Sequence, residues 1–470
     1  MRKKFSVIAI ICMVMLIQNK ISVSAKTNTD YETISIQLEK DVEKYHIPGM
    51  AVVVVNRDSV LFSETYGNCD DIDKPFIIGS MSKSFTALSI MQLVEKGKID
   101  LDAPISNYID VSEYFSDPAD GDKITVKQLL NQTSGLDTYQ RFGNAKITES
   151  YGQHVYANVN YGLLGKIVEA VSGESYADYV KQNIFTPLEM NHSAATLEES
   201  KANGLIYGYR NYFGIPVAGE PDYPDDSSWS TVPAGYLSSS ASDMGKYLQM
   251  YLNGGMDVVS QNSINTMFYD SVYVDGVSPC YYGMGWQLFP DQYSEPILNH
   301  AGLVENYTSN MFILPESGIG IVVLINMNDY FVTNQLAGNM IMPLLGEAQA
   351  ESSGNPYITS HLVYDLIYML ILAITLYPLI TIKKWQKKKG LLILDMIRHG
   401  VLPVFLICLP NFLGIPIWVV WYFVKDLCVI LCTSAALLLA GGIYKIKVYC
   451  NYKTQARQMN AQTILFKTPP

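Results

Sequence analysis

The run LVYDLIYMLILAITLYPLITI, Leu362–Ile382, limits the whole chain. About 20 consecutive apolar residues in a helix match the ~30 Å hydrocarbon core of a bilayer. Gly400–Val420 and Leu427–Tyr444 repeat the pattern, with Trp418, Trp421 and Tyr422 where the first of these ends, as aromatic residues suited to an interface. Residues 362–445 therefore read as a membrane domain of three helices, about 362–382, 400–420 and 427–444. Pro403, Pro410 and Pro416 make the middle one depend on neighbours to satisfy freed backbone groups. Residues 26–345 have the composition of a water-soluble domain. GEAQAESSGNP opens a linker over 346–361, and residues 446–470 form a basic tail.

Residues 1–25 start with Arg2, Lys3 and Lys4, continue through an apolar run from Phe5 to Ile17, and close on Val23-Ser24-Ala25. That is the pattern of a secretory signal peptide cleaved after Ala25; an uncleaved N-terminal anchor is the alternative. Charge is distributed unevenly: residues 1–25 carry +4, residues 26–382 carry -25 and residues 383–470 carry +10. The lysines at 383, 384 and 387–389 follow the first apolar run, and the tail after Tyr444 is basic without an acid. Basic flanks stay in the cytoplasm. With the soluble domain exported, three crossings return the C-terminus to the cytoplasm, an arrangement in which parity and charge agree. The expected localisation is a multi-pass cell-membrane protein whose soluble domain is extracellular.

An acidic domain repels nucleic acid, so no nucleic-acid partner is expected. HExxH and CxxC are absent and the six histidines are scattered, so neither a metal nor a cofactor is expected. Of seven cysteines only Cys69 and Cys280 fall in the exported domain, where they could pair or remain separate.

Within that domain, Tyr31–Ile47 has apolar residues on one helical face. Met50–Val55 and Ser59–Tyr66 read as strands about an Asn-Arg-Asp turn. Ser80–Lys96 and Ser240–Leu252 read as helices, with short helices and long polar loops over 100–235. Strands follow at 296–301, 308–314 and 319–325, then a helix at 331–345. Strands at both ends with helices between them predict an α+β domain: one antiparallel sheet flanked by helices, with an inserted helical lobe.

The stretch FIIGSMSKSFTAL contains Ser80 and, three residues on, Lys83. A serine hydroxyl is a weak nucleophile until a base takes its proton. Lys83 lies one helical turn away on the same face, and burial would lower its amine pKa enough for that task. The helix start would leave backbone N–H groups available to hold an oxyanion. SxxK alone is weak, because such patterns arise by chance. Two later stretches supply partners: HVYANVNYGLLG with Tyr156-Ala157-Asn158, and NHAGLVENYTSNM with His300-Ala301-Gly302.

Taken in order, these three motifs resemble the serine penicillin-recognising family, in particular its class C β-lactamase-like branch. VKQLLNQTSGL (Val126–Leu136) and PAGYLSSSASDMGKYLQMYLNGG (Pro233–Gly255) resemble two further segments of that branch. The likeness covers roughly residues 31–345 and implies a β-lactamase/transpeptidase-like fold. It also implies roles. Ser80 would be the nucleophile that forms an acyl-enzyme, Lys83 its activating amine and Tyr156 the proton relay. Asn158 would hold a substrate amide, and His300 and Gly302 would border the substrate-binding strand. The N–H groups of Ser80 and Leu303 would form the oxyanion hole.

Three departures stand out. His300 replaces a common lysine, so a permanent cation for a carboxylate is missing. Glu305-Asn306 occupies the place of a common Pro-Gly pair, which alters the pocket rim. Gln132 replaces a common histidine, with an expected effect on a helix end rather than on catalysis. The resulting expectation is a membrane-anchored serine hydrolase acting on an amide or ester of a small peptide-like substrate. A D-amino-acid-specific peptidase maturing a secreted peptide is the alternative. A non-catalytic β-lactam sensor would need an output domain that the short tail does not provide.

Overall fold

A computed structural model describes residues 31–276, 279–291, 294–328, 336, 343–344, 356–380 and 397–465. The expected signal peptide and most of the expected helix 331–345 lie outside these residues. The chain divides into two compact units.

The first unit is built on an eight-stranded antiparallel sheet. Its members are β1 (Gly49–Val55), β2 (Val60–Gly67), β3 (Val272–Tyr273), β4 (Tyr281–Tyr282), β5 (Gln287–Phe289), β6 (Ile297–Leu303), β7 (Thr308–Leu314) and β8 (Ile319–Ile325). The order is β2-β1-β8-β7-β6-β5-β4-β3, so the two ends of the domain meet where β1 pairs with β8. Side chains alternate between faces with period two. Met50, Val52 and Val54 join Ile321, Val323 and Ile325 in a cluster with Ile34 and Leu38 of α1 (Tyr31–Lys44). Ala51, Val53 and Val55 join Val322 and Leu324 on the opposite face. There they pack with Phe85 and Leu88 of α2 (Ser82–Glu95) and with Met244 and Leu248 of α4 (Ala241–Leu252). Burial on both faces explains why GMAVVVV is an unbroken apolar run.

The region 100–235, expected to hold short helices and long polar loops, contains a 15-residue helix, α3 (Asn158–Ser172), ended by Gly173 in the left-handed conformation. Gly162, Gly165 and two asparagines weakened its apolar pattern in the sequence. Its Gly165 faces Pro233, where a Cβ would come within 2.3 Å of the ring. A small hairpin, Gly208–Tyr212 with Ile215–Gly219, was also not foreseen; its first strand pairs in parallel with Met327–Asn328. Cys69 and Cys280 are buried thiols that are not joined to each other.

The C-terminal unit does not match the expected three crossings. Among the described residues one helix, Lys425–Met459, is long and apolar enough to cross a bilayer. Two bent segments, Ile397–Phe412 and Ile417–Phe423, meet at 78° and would count as a second only if taken as one broken span. Pro410, Gly414 at φ 82° and Pro416 explain the break, since proline removes an N–H donor and glycine reverses the backbone. Pro356–Ile380 is a single 25-residue helix, within which the apolar stretch among the described residues is Asp365–Ile374. The last helix also continues to Leu465 rather than stopping near Tyr444. Residues such as Lys453, Gln455, Ala456, Arg457 and Met459 are good helix formers and extend it.

Candidate active site

Ser80 sits in a single 3-10 turn, Gly79–Met81, directly before α2. The strand pair Phe76–Ile77 with Ser238–Ser239 brings the chain in, and the Ile78 N–H donates to Leu237 O at 2.9 Å. Neighbouring serines serve as scaffolding. Ser82 Oγ donates to Gly79 O at 2.7 Å and accepts from Leu237 N at 3.1 Å. Ser309 Oγ on β7 donates to Ile78 O at 2.7 Å.

Two glycines let this turn lie against β6. A Cβ on Gly302 would come within 2.1 Å of Ile78 O, and one on Gly79 within 2.5 Å of Leu303 N. Gly79 also has φ 56°, a region that glycine enters without strain. The Leu303 N–H is thus brought beside the Ser80 turn.

Lys83 is completely buried. Its Nζ lies 3.1 Å from Ser80 Oγ, 2.7 Å from Asn158 Oδ1 and 2.6 Å from Ala234 O. It is also 4.7 Å from the centre of the Tyr156 ring. None of the three oxygens belongs to a carboxylate. Burial therefore holds the amine well below its usual pKa. A neutral amine has two hydrogens for the two carbonyl oxygens and one lone pair, which is then available to the Ser80 hydroxyl.

Tyr156 precedes α3, so Asn158, the first residue of that helix, is fixed against Lys83. The Tyr156 ring lies 6.4 Å from that of His300 and 5.9 Å from that of Tyr282. His300 Nδ1 is 2.8 Å from Ala301 O, which identifies it as the protonated nitrogen. Nε2 is buried without a hydrogen-bond partner among the described residues. Burial, reinforced by the nearby Lys83, lowers the His300 pKa to about 3. All seven residues singled out in the sequence, Ser80, Lys83, Tyr156, Asn158, His300, Gly302 and Leu303, come together here.

Three contributors were not anticipated. The Ala234 carbonyl, in the short helix Val232–Gly235, completes the cradle of Lys83. Gln132 does end a short helix, with φ 59°, but its side chain reaches the Tyr156 segment and accepts from Ala157 N at 3.0 Å. Glu305, expected to shape a rim, is buried: it accepts from Tyr236 OH at 2.9 Å and from Asp222 N, with Arg210 Nη2 at 3.7 Å. Desolvation pushes its pKa up to about 7. The residue types carried no advance signal for Gln132 or Glu305, because each acts through a contact distant in sequence.

A Ser-Lys pair with its lysine buried, a Tyr-x-Asn helix start and a His-x-Gly strand together resemble a β-lactamase/transpeptidase-type site. Comparison with known proteins agrees. A sequence model described as Beta-lactamase matches residues 37–337, and the chain belongs to that family. It is 26% identical over 430 residues to protein flp of Staphylococcus aureus strain MRSA252, covering 84% of this chain and 82% of that one. Against flp of strain MW2 it is 28% identical and spans 65% of each chain. The octameric penicillin-binding protein homologue from Pyrococcus abyssi is 27% identical with a TM-score of 0.60, over 68% of this chain and 79% of that one. The D-stereospecific amidohydrolase from Streptomyces sp. shares the fold at 20% identity and a TM-score of 0.53, over 68% of this chain and all of that one.

Proposed function

We propose that the protein is a membrane-attached serine acyl hydrolase, with its catalytic domain on the extracytoplasmic face, acting on an amide or ester of a small peptide-like molecule. The observation that carries this reading is the buried Lys83 amine, in contact with Ser80 Oγ and with no acidic partner among its hydrogen bonds. In the proposed reaction Lys83 takes the Ser80 hydroxyl proton as Oγ bonds to the substrate carbonyl carbon. The resulting oxyanion is held by the N–H groups of Ser80 and Leu303. The bond to the leaving group then breaks, and the leaving atom receives its proton through Tyr156. A water molecule attacks the acyl-Ser80 ester, losing its proton to the same Tyr156–Lys83 pair; the acyl–Oγ bond then breaks, the pair returns that proton to Ser80 Oγ, and the acid leaves. Asn158 both fixes Lys83 and offers an amide to the substrate.

Neutral His300 favours a second, narrower reading. Without a cation at that position, substrates with a free carboxylate beside it lose a partner, whereas esters and internal peptide amides do not. A peptidase that trims a D-amino-acid-containing peptide during secretion fits this preference.

Intact-mass spectrometry of the full chain in detergent tests the reading, using benzylpenicillin and an activated N-acyl amino-acid ester. The expected result is an adduct or probe turnover that disappears in Ser80→Ala. Equal labelling of Ser80→Ala, or no reaction of the native protein with either probe, overturns it.

A further inference from the structure

We infer that Gln132 is a positioning residue that sets the Tyr156-Ala157-Asn158 segment against Lys83, a role that rests on the serine-hydrolase reading. Gln132 holds this segment at two points that bracket Tyr156. Its backbone carbonyl accepts from Val155 N at 2.9 Å, and its side-chain Oε1 accepts from Ala157 N at 3.0 Å. The same Oε1 accepts from the side-chain amide of Asn160, whose own Oδ1 accepts from Ser134 Oγ at 2.7 Å. Gln132, Ser134 and Asn160 are all completely buried.

The arrangement does the work of a helix cap from outside the helix. Ala157 is the residue that caps α3 and has no side-chain acceptor of its own. N-terminal N–H groups without an acceptor fray the first turn. The first turn here begins with Asn158, the ligand of Lys83, and directly follows Tyr156. Gln132 can reach this position because it adopts φ 59° just after the helix Val126–Leu130, an uncommon conformation for a residue other than glycine. These hydrogen bonds are buried and reach none of the reacting atoms, so losing them would move the segment that carries the proton relay without touching substrate.

The test uses the full chain in detergent and two readouts. Gln132→Gly removes the side chain while suiting the positive φ, and Gln132→Asn tolerates the same φ but is one methylene too short. In both variants the Ala157 amide should exchange hydrogen at least tenfold faster, measured by mass spectrometry on peptides covering 155–160. The turnover number for the activated ester should fall at least tenfold with KM within about twofold, and the acid limb of the pH–rate profile should move. Gln132→Glu, which keeps an oxygen acceptor, should restore most of the exchange protection. Unchanged exchange in a folded Gly or Asn variant overturns the inference, as does faster exchange with an unaltered turnover number and pH profile. If the native protein shows no Ser80-dependent chemistry, the hydrolase reading fails and the exchange result alone decides whether Gln132 holds the segment.

Discussion

Lys83 Nζ and Asn158 Oδ1 are 2.7 Å apart, a hydrogen bond between residues 75 positions distant that joins the helix after Ser80 to the helix after Tyr156. The acceptor is a neutral amide, and this neutrality leaves the amine's pKa depressed by burial. Asn158→Asp keeps the shape but places an anion beside the amine. An adjacent opposite charge favours the charged form, so the Lys83 pKa should rise. More of the amine is then protonated at pH 7 and unable to accept the Ser80 proton. Acylation at pH 7 should fall about 10- to 100-fold and recover as pH rises, with the acid limb displaced upward by about one unit or more. A pH–rate profile with its limb unmoved would remove Lys83 from the role of base.

Much of this domain was legible because its signals are local. The alternation of Met50, Val52 and Val54 with Ala51, Val53 and Val55 announces a strand buried on both faces. Ser80 and Lys83 lie one turn apart whatever surrounds them. Gln132 and Glu305 were illegible in their true roles because hydrogen bonds to residues 25 and 69 positions away define them. In the C-terminal unit, hydropathy alone could not distinguish a continuous span from segments that Pro410, Gly414 and Pro416 bend by 78°.

Gly302→Ala should disable the site through the backbone. The added methyl would meet Ile78 O at 2.1 Å and Ser309 Oγ at 2.2 Å, and a carbonyl fixed by Ser309 cannot easily give way. Overpacking of this kind typically costs about 1–3 kcal/mol, and here the displaced element carries Ser80. The expected outcome is a clear loss of thermal stability, with acylation by an activated ester reduced over 100-fold even in the folded fraction. Near-native acylation by Gly302→Ala would show that β6 does not need to lie so close to the Ser80 turn.

His300 should contribute stability that depends on acid. Its folded pKa of about 3 lies below the unfolded value near ~6.5, because burial and Lys83 disfavour the cation. The unfolded chain therefore takes up a proton first as pH falls. The stabilising contribution is complete above about pH 6.5 and is lost progressively toward pH 3. Replacing His300 with Gln should flatten the decline in melting temperature between pH 6.5 and 4. It should leave the shape of the pH–rate profile near pH 6–7 unchanged, since the residue is neutral there. A kinetic limb near pH 6–7 that vanishes in His300→Gln would mean that this imidazole ionises in the working enzyme.

Glu305 should act in the opposite direction. Desolvation raises its carboxyl to about 7, despite the Asp222 N–H and the Arg210 guanidinium, which favour the anion; Asp222's own charge opposes it. Between about pH 4.5 and 7 the folded state keeps a proton that the unfolded state has released. Stability then falls as pH rises through that window and levels off above it. A raised pKa of this size corresponds to an effect of about 3 kcal/mol at most, reduced by any relaxation around the charge. Glu305→Gln can still accept from Asp222 N through its carbonyl oxygen, while the Tyr236 hydroxyl can turn to accept from the new amide. The variant should therefore match the native protein near pH 5 and exceed its melting temperature at pH 8. Parallel melting curves for the two proteins across pH 4.5–8 would show that the buried carboxyl is ionised throughout, with Arg210 fully compensating its burial.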